Sequence, residues 1–128
     1  MRSSDEQAAP GTGTGSPDTV TPNPGRVVVR VGDQVVADSK RALTLQESNY
    51  PPVQYVPLSD VDPSALQRTD SSTYCPYKGD ASYYSLRVNG SELTDAVWTY
   101  ETPYPAVAEI AGHVAFYPDK VQLDVGQL

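Results

Sequence analysis

From residue 26 onward, apolar and polar residues alternate with period two, in runs too short for ordinary helices. The run VVVRV at residues 27–31 is β-branched, Gly32-Asp33 reads as a tight turn, and residues 34–37 return, predicting a first hairpin. Residues 42–47 set Leu43 and Leu45 against Thr44 and Gln46, which predicts a strand with one buried face. Pro51-Pro52 interrupts the pattern, and residues 53–56 predict another strand that Pro57 confines to an edge or an end. Residues 59–67 are a helical candidate, with Ser59 as cap, Pro63 in the first turn, and Ala65 and Leu66 as its apolar patch. Residues 72–77 read as extended. Residues 81–88 place Tyr84, Leu86 and Val88 on one face and Tyr83, Ser85 and Arg87 on the other. Asn89-Gly90 tolerates positive φ at both positions and predicts residues 93–100 as a return strand carrying Trp98. One helical turn is expected over residues 106–111, ending at Gly112. A last hairpin is expected to join residues 113–117 to 120–125 around Pro118-Asp119.

About eight or nine short strands, with no repeat and no βαβ rhythm, predict an all-β fold. The expected form is a compact antiparallel barrel or a folded-over pair of sheets, with one or two very short helices. Residues 1–25 are rich in Gly, Pro, Ser, Thr and Asp, and carry too little apolar surface to offset the entropy of ordering. They are expected to form a disordered tail ahead of a single domain over residues 26–128.

Charge and cysteine usage narrow the partners. Nine Lys and Arg stand against 16 Asp and Glu, a net charge of −7, which repels phosphate backbones and anionic membrane surfaces. Neither nucleic acid nor membrane is expected as a partner; the local exception is the basic group Arg26, Arg30, Lys40 and Arg41. The single cysteine forms no intrachain disulfide and points to the reducing cytosol. The first 25 residues hold no apolar segment of the secretory kind, and no apolar run approaches the ~20 residues of a membrane span. A soluble, cytoplasmic protein is expected.

No cofactor is expected either. There is no Walker or Rossmann glycine pattern, and Cys75 and His113 are too few for a four-ligand zinc site. Candidate chemistry concentrates in residues 72–86, STYCPYKGDASYYSL, which hold the cysteine, Lys78-Gly79 and four of the nine tyrosines. Cys75 with His113 is a conceivable thiolate pair, against a small buried hydrophobe. Lys78 can meet a phosphate or carboxylate as a point charge, and Gly79 can let backbone approach a ligand. Glu47, at a strand end, can pair with Arg41 or Lys78, or act as a general base. Tyrosine and tryptophan have an apolar body and a polar tip, which suits a pocket for a flat or polar ligand.

The blocks VADSKRALTLQES, VQYVPLSDV, STYCPYKGDASYYSL, AVWTYETP and VAFYPDKV occur in this order across residues 26–125. In them the chain resembles a family of small, mostly bacterial proteins called domain of unknown function 427. The resemblance implies a β-rich fold similar to the β-tent or Mss4-like class. It carries a nucleotidyltransferase-style label, although the two metal-binding acidic residues beside a Gly-Ser phosphate loop that such enzymes generally use are not found. The family's motif residues fall on Glu47, Tyr55, Cys75, Pro76, Lys78, Gly79, Trp98, Tyr100 and Phe116, with no established role attached.

The expected site is one cleft at the end of the sheet shared by Glu47, Tyr77, Lys78 and Trp98, with Tyr55, Gly79 and Tyr100 as further candidates. Three functions fit: a small-molecule-binding module, an enzyme acting on a polar or nucleotide-like metabolite through Glu47 and Lys78, or a protein-interaction domain. The competing structural account is a Lys–Glu pair fixing a turn, which if exposed contributes only ~0–1 kcal/mol; Lys78→Ala is expected to separate the two, the site account surviving if ligand binding is lost while the melting temperature stays almost unchanged.

Overall fold

The computed structural model describes residues 19–47 and 50–126. Among the described residues the strands are β1 (Thr19–Pro22), β2 (Val27–Val31), β3 (Gln34–Ser39), β4 (Leu43–Gln46), β5 (Val53–Pro57), β6 (Leu66–Cys75), β7 (Gly79–Val88), β8 (Ser91–Thr99), β9 (His113–Phe116) and β10 (Gln122–Val125). They build a seven-stranded sheet, ordered β1-β4-β5-β9-β8-β7-β6, and a three-stranded sheet, ordered β10-β2-β3. Every pairing is antiparallel. The fold is all-β, as expected, and takes the form of packed sheets rather than a closed barrel.

The turns form where the chemistry allows positive φ. Gly32 (φ 58°) closes the β2–β3 hairpin, and Asn89 (φ 53°) with Gly90 (φ 81°) closes β7–β8. The period-two pattern then sends alternate residues of the large sheet to opposite faces. Val56, Leu86, Val97, Val114 and Phe116 point to one face and pack against Val27, Val29, Val36 and Ala37 of the small sheet. Their neighbours Tyr55, Trp98 and Ala115 belong to a second apolar cluster with Leu45, Tyr100, Val107 and Ile110. Val107 and Ile110 come from the 3₁₀ segment Pro105–Ile110, which covers part of that second face.

Two bulges lie side by side in the large sheet. Between the pairs Arg68↔Tyr84 and Ser72↔Ser82, strand β6 carries extra residues, and between Tyr84↔Val97 and Leu86↔Leu93 strand β8 does the same. Asp95 joins them. Its backbone sits at φ 51°, its amide donates to Ser85 Oγ at 3.0 Å, and its carboxylate accepts from Thr69 Oγ1 at 2.7 Å and Ser71 Oγ at 2.6 Å. Those hydroxyls hold the Asp95 carboxyl below the usual carboxylate range. Bulges increase local twist and bend a strand, so this staple shapes the sheet beside Tyr83 and Trp98.

Several elements depart from expectation. Residues 113–117 and 120–125 do not form a hairpin: β9 inserts between β5 and β8, while β10 crosses to pair with β2 in the small sheet. Strand β1 lies inside the stretch expected to be a tail and pairs with β4, because the alternating TVTP run finds an open edge there. The rest of that stretch, residues 1–18, lies outside the described residues. The helical candidate at residues 59–67 resolves into two 3₁₀ turns, Leu58–Asp60 and Pro63–Ala65, and the second is capped by Asp62 rather than Ser59. The basic group near residue 30 is largely neutralised, since Arg26 pairs with Asp38, Arg30 with Asp124 and Arg41 with Asp60.

Candidate functional site

Lys78 is the anchor. It follows a tight turn in which its N–H donates to Cys75 O at 3.2 Å, and its own carbonyl accepts from Tyr104 N at 3.0 Å. Gly79, at φ 109°, opens β7 immediately after it. A Cβ on Gly79 would sit in ordinary contact, 3.4 Å from Thr102 O and 3.8 Å from the Tyr104 ring, so the glycine is needed for its backbone angle rather than for space. The turn thereby drives the lysine inward. Lys78 is only 6% exposed, unusual for this residue type.

Its Nζ donates to Glu47 Oε1 at 2.6 Å. Glu47 follows the last residue of β4, and Lys78 precedes β7, so strands far apart in the sheet contribute the two charges. The side chains are unequally buried, 7% exposed for Lys78 and 28% for Glu47. Cys75 Sγ lies 4.0 Å from the same Nζ. The pair therefore reaches solvent mainly through the carboxylate.

Around this pair the large sheet forms a cleft of about 230 Å³, lined by Glu47, Val53, Tyr55, Lys78, Tyr83, Trp98, Tyr100 and Tyr117. Trp98 Nε1 donates to the Tyr55 hydroxyl at 3.1 Å, and their rings meet edge to face at 6.4 Å. Tyr117 tilts against Trp98 with centroids 4.5 Å apart. Tyr83 shares a 2.8 Å hydrogen bond with Thr73 Oγ1. Burial pushes the Tyr100 phenol well above its ordinary range. Burial, then the hydrogen bond with Tyr83, does the same to Tyr117. These hydroxyls remain neutral donors and acceptors at physiological pH.

Five of the predicted site residues, Glu47, Tyr55, Lys78, Trp98 and Tyr100, meet in this cleft. Tyr77 and Gly79 are not among its lining residues: Tyr77 is 38% exposed, and Gly79 lies against Thr102 O and the Tyr104 ring. The cleft lies on the face of the sheet, not at its end, because Tyr55, Trp98 and Tyr83 project from inner strands. Cys75 and His113 do not form a pair; the His113 ring shares a 3.0 Å hydrogen bond between Nδ1 and the Ala111 carbonyl. Val53, Tyr83 and Tyr117 also line the cleft and are absent from the residues expected there. Val53 and Tyr83 are readable from alternation, since each shares a face with Tyr55 or lies opposite Leu86. Tyr117 is not, because the hairpin expected to carry it does not form.

No group of three or more His, Cys, Asp or Glu converges among the described residues. No helix among the described residues is long and apolar enough to cross a membrane. The fold and site together define an antiparallel β domain with a tyrosine-walled cleft over an internal Lys–Glu pair. The chain belongs to the family described as Domain of unknown function (DUF427), whose model matches residues 19–126. The nucleotidyltransferase wording is part of that family's label and describes no observed activity. No match is found among curated proteins.

Proposed function

We propose that the domain is a small-molecule-binding module and that its ligand occupies the cleft over Lys78 and Glu47. The observation that carries this reading is the position of the ion pair. Taking two charges out of water costs several kcal/mol per ion, and well-packed apolar residues of similar volume are often as stabilising or more so. A pair kept inside a ring of aromatic side chains is a poor device for stability. It is a good device for orienting a polar ligand whose flat part lies against Trp98 and Tyr117. The net charge of −7 supports a partner other than nucleic acid, and the lone thiol supports the cytosol as the compartment.

Trp98 is the sole tryptophan, so its fluorescence reports on the cleft alone. A thermal-shift screen of metabolites, followed by titration of hits against Trp98 emission, tests the proposal. A hit should raise the melting temperature and change Trp98 emission saturably with one constant. Stabilising compounds that leave Trp98 emission unchanged would place binding elsewhere and end this reading.

The second reading is an enzyme in which Glu47 moves a proton and Lys78 holds a developing negative charge. The 2.6 Å contact between them inside the cleft favours it. Turnover of a hit by the wild-type protein, lost in Glu47→Gln while binding persists, would select this reading over plain binding.

A further inference from the structure

Two tyrosines that do not line the cleft meet at the Lys78 turn. Tyr74, on the edge strand β6, is 62% exposed, and Tyr104, just ahead of the 3₁₀ segment Pro105–Ile110, is 38% exposed. We infer that this pair is an oxidative coupling site: a one-electron oxidant joins the two rings through their ortho carbons, and the bond latches the turn that carries Lys78.

The geometry carries the inference. The two hydroxyls share a hydrogen bond of 2.6 Å, and the rings meet edge to face with centroids 6.5 Å apart. Side-chain hydrogen bonds go mostly to backbone or water, so two exposed phenols bonded to each other are unusual. The fold holds them there: Tyr74 pairs with Asp80 across the β6–β7 hairpin, Tyr104 N donates to Lys78 O at 3.0 Å, and the Tyr104 ring lies beside Gly79. A phenol's ortho carbons flank the carbon that bears its hydroxyl, so hydroxyls in hydrogen-bond contact bring two ortho edges together. Tyr83 and Tyr117 also share a hydrogen bond, but both are half-buried in the cleft wall. A large oxidant such as a haem protein therefore meets Tyr74 and Tyr104 first.

The step balances with hydrogen peroxide as the oxidant and a haem peroxidase to pass electrons to it singly. Each phenol gives one electron to the peroxidase and its hydroxyl proton to water, leaving a phenoxyl radical. The hydrogen bond with Tyr74 holds the Tyr104 phenol above its ordinary range, so at neutral pH the proton must leave with the electron, and solvent is there to take it. The two radicals pair to form one carbon–carbon bond between ortho carbons. Each of those carbons then loses its hydrogen as a proton while its oxygen regains one. Two phenols and one peroxide thus give one biphenol and two waters. Residues 74 and 104 are 30 apart in sequence, so the bond closes a loop around Lys78-Gly79 and, as a cross-link does, removes chain entropy from the unfolded state.

The full chain is treated with a haem peroxidase and limiting hydrogen peroxide, then with a thiol reductant, which reverses any disulfide of Cys75 and leaves a carbon–carbon bond intact. The monomer should gain dityrosine fluorescence and lose two hydrogens from its intact mass. Trypsin cuts after Lys78 and Arg87, so Tyr74 and Tyr104 fall in separate peptides, and tandem mass spectrometry should find them joined. Tyr74→Phe and Tyr104→Phe, each checked for an intact melting transition, should lose the product. Tyr50→Phe, which removes a phenol on a residue 58% exposed, should keep it. The coupled monomer should melt about 5–15 °C above the untreated chain. Absence of product under conditions that couple free tyrosine would overturn the inference. So would coupling through Tyr83 and Tyr117 instead, product that survives either of the first two variants, or covalent dimers with no coupled monomer. A coupled monomer that melts no higher than the untreated chain would overturn it as well, because the bond would then latch nothing.

Discussion

Removing Lys78 should destabilise the domain far more than an exposed ion pair would allow. Lys78→Met keeps the unbranched apolar stem and deletes the ammonium, leaving the Glu47 carboxylate without its cation in the aromatic-walled cleft. Breaking a buried pair on one side costs ~3–5 kcal/mol, chiefly from the charge left behind. Glu47 keeps 28% of its side-chain surface in contact with solvent, which screens part of that penalty. The expected cost is therefore ~2–3 kcal/mol, or a fall in melting temperature of about 10–20 °C for a domain of this size. Differential scanning calorimetry and urea denaturation read it directly. The companion variant Lys78→Met/Glu47→Leu removes both charges and should recover most of the loss. A single variant melting within about 2 °C of wild type would refute the reasoning. So would a double variant no more stable than the single. Either result would mean that the pair is solvated and the cleft wetter than its geometry shows. Melting temperature alone therefore cannot separate a binding role for Lys78 from a structural one. A nearly unchanged melting temperature is what an exposed pair would give, and Lys78 is not exposed.

Other outcomes follow from the same structure. Gly79→Ala places a Cβ at φ 109° against Thr102 O and should cost ~1–3 kcal/mol by urea unfolding; a neutral effect would mean that the turn relaxes freely. Asp95 has a folded-state pKa lowered by Ser71 and Thr69, so its contribution is present above the unfolded value of ~3.9 and lost as pH falls through the folded value. Urea midpoints measured down to about pH 2 should fall less steeply in Asp95→Asn than in wild type, and parallel curves would show no such linkage. Tyr100 and Tyr117 have raised folded-state pKa values, so their contribution is present below the unfolded value of ~10 and lost as pH rises. In a spectrophotometric titration they should ionise only together with unfolding, and reversible ionisation of all nine tyrosines in the folded state would contradict this.

The class of fold is legible because each hairpin signal is local: Gly32-Asp33 and Asn89-Gly90 fix their turns through backbone chemistry that needs no distant partner. The path of β10 is not, since Pro118-Asp119 marks a turn without saying which sheet receives the next strand. The meeting of Glu47 with Lys78 is legible from two polar residues in unpromising core positions. Their burial is not, because alternation says which residues share a face but not how deeply a turn tucks a side chain. The register of Trp98 shows the same limit. Continuing the Asn89-Gly90 hairpin without interruption would set Trp98 opposite Ala81. The bulge at Asp95 shifts it opposite Tyr83, and this brings both rings to one wall of the cleft. Nothing in the run LTDAV announces a bulge; it becomes visible only when Thr69 and Ser71 arrive from β6 to satisfy the Asp95 carboxylate.

The crossing of β10 has a consequence for how the chain acquires its structure. Val27 and Val29, at the heart of the main core, lie on a strand whose neighbours are β3 and β10. Arg30 and Asp124, bridged across that last pairing, are 94 residues apart in sequence. During synthesis the β2–β3 hairpin emerges early, yet one of its edges stays open until nearly the whole domain has left the ribosome. Contacts of such long range cost chain entropy before they return any stability, which makes folding slow and concerted. Until β10 arrives, β2 offers a β-branched, aggregation-prone edge. Completing the small sheet therefore waits on the last strand of the domain to cover that edge.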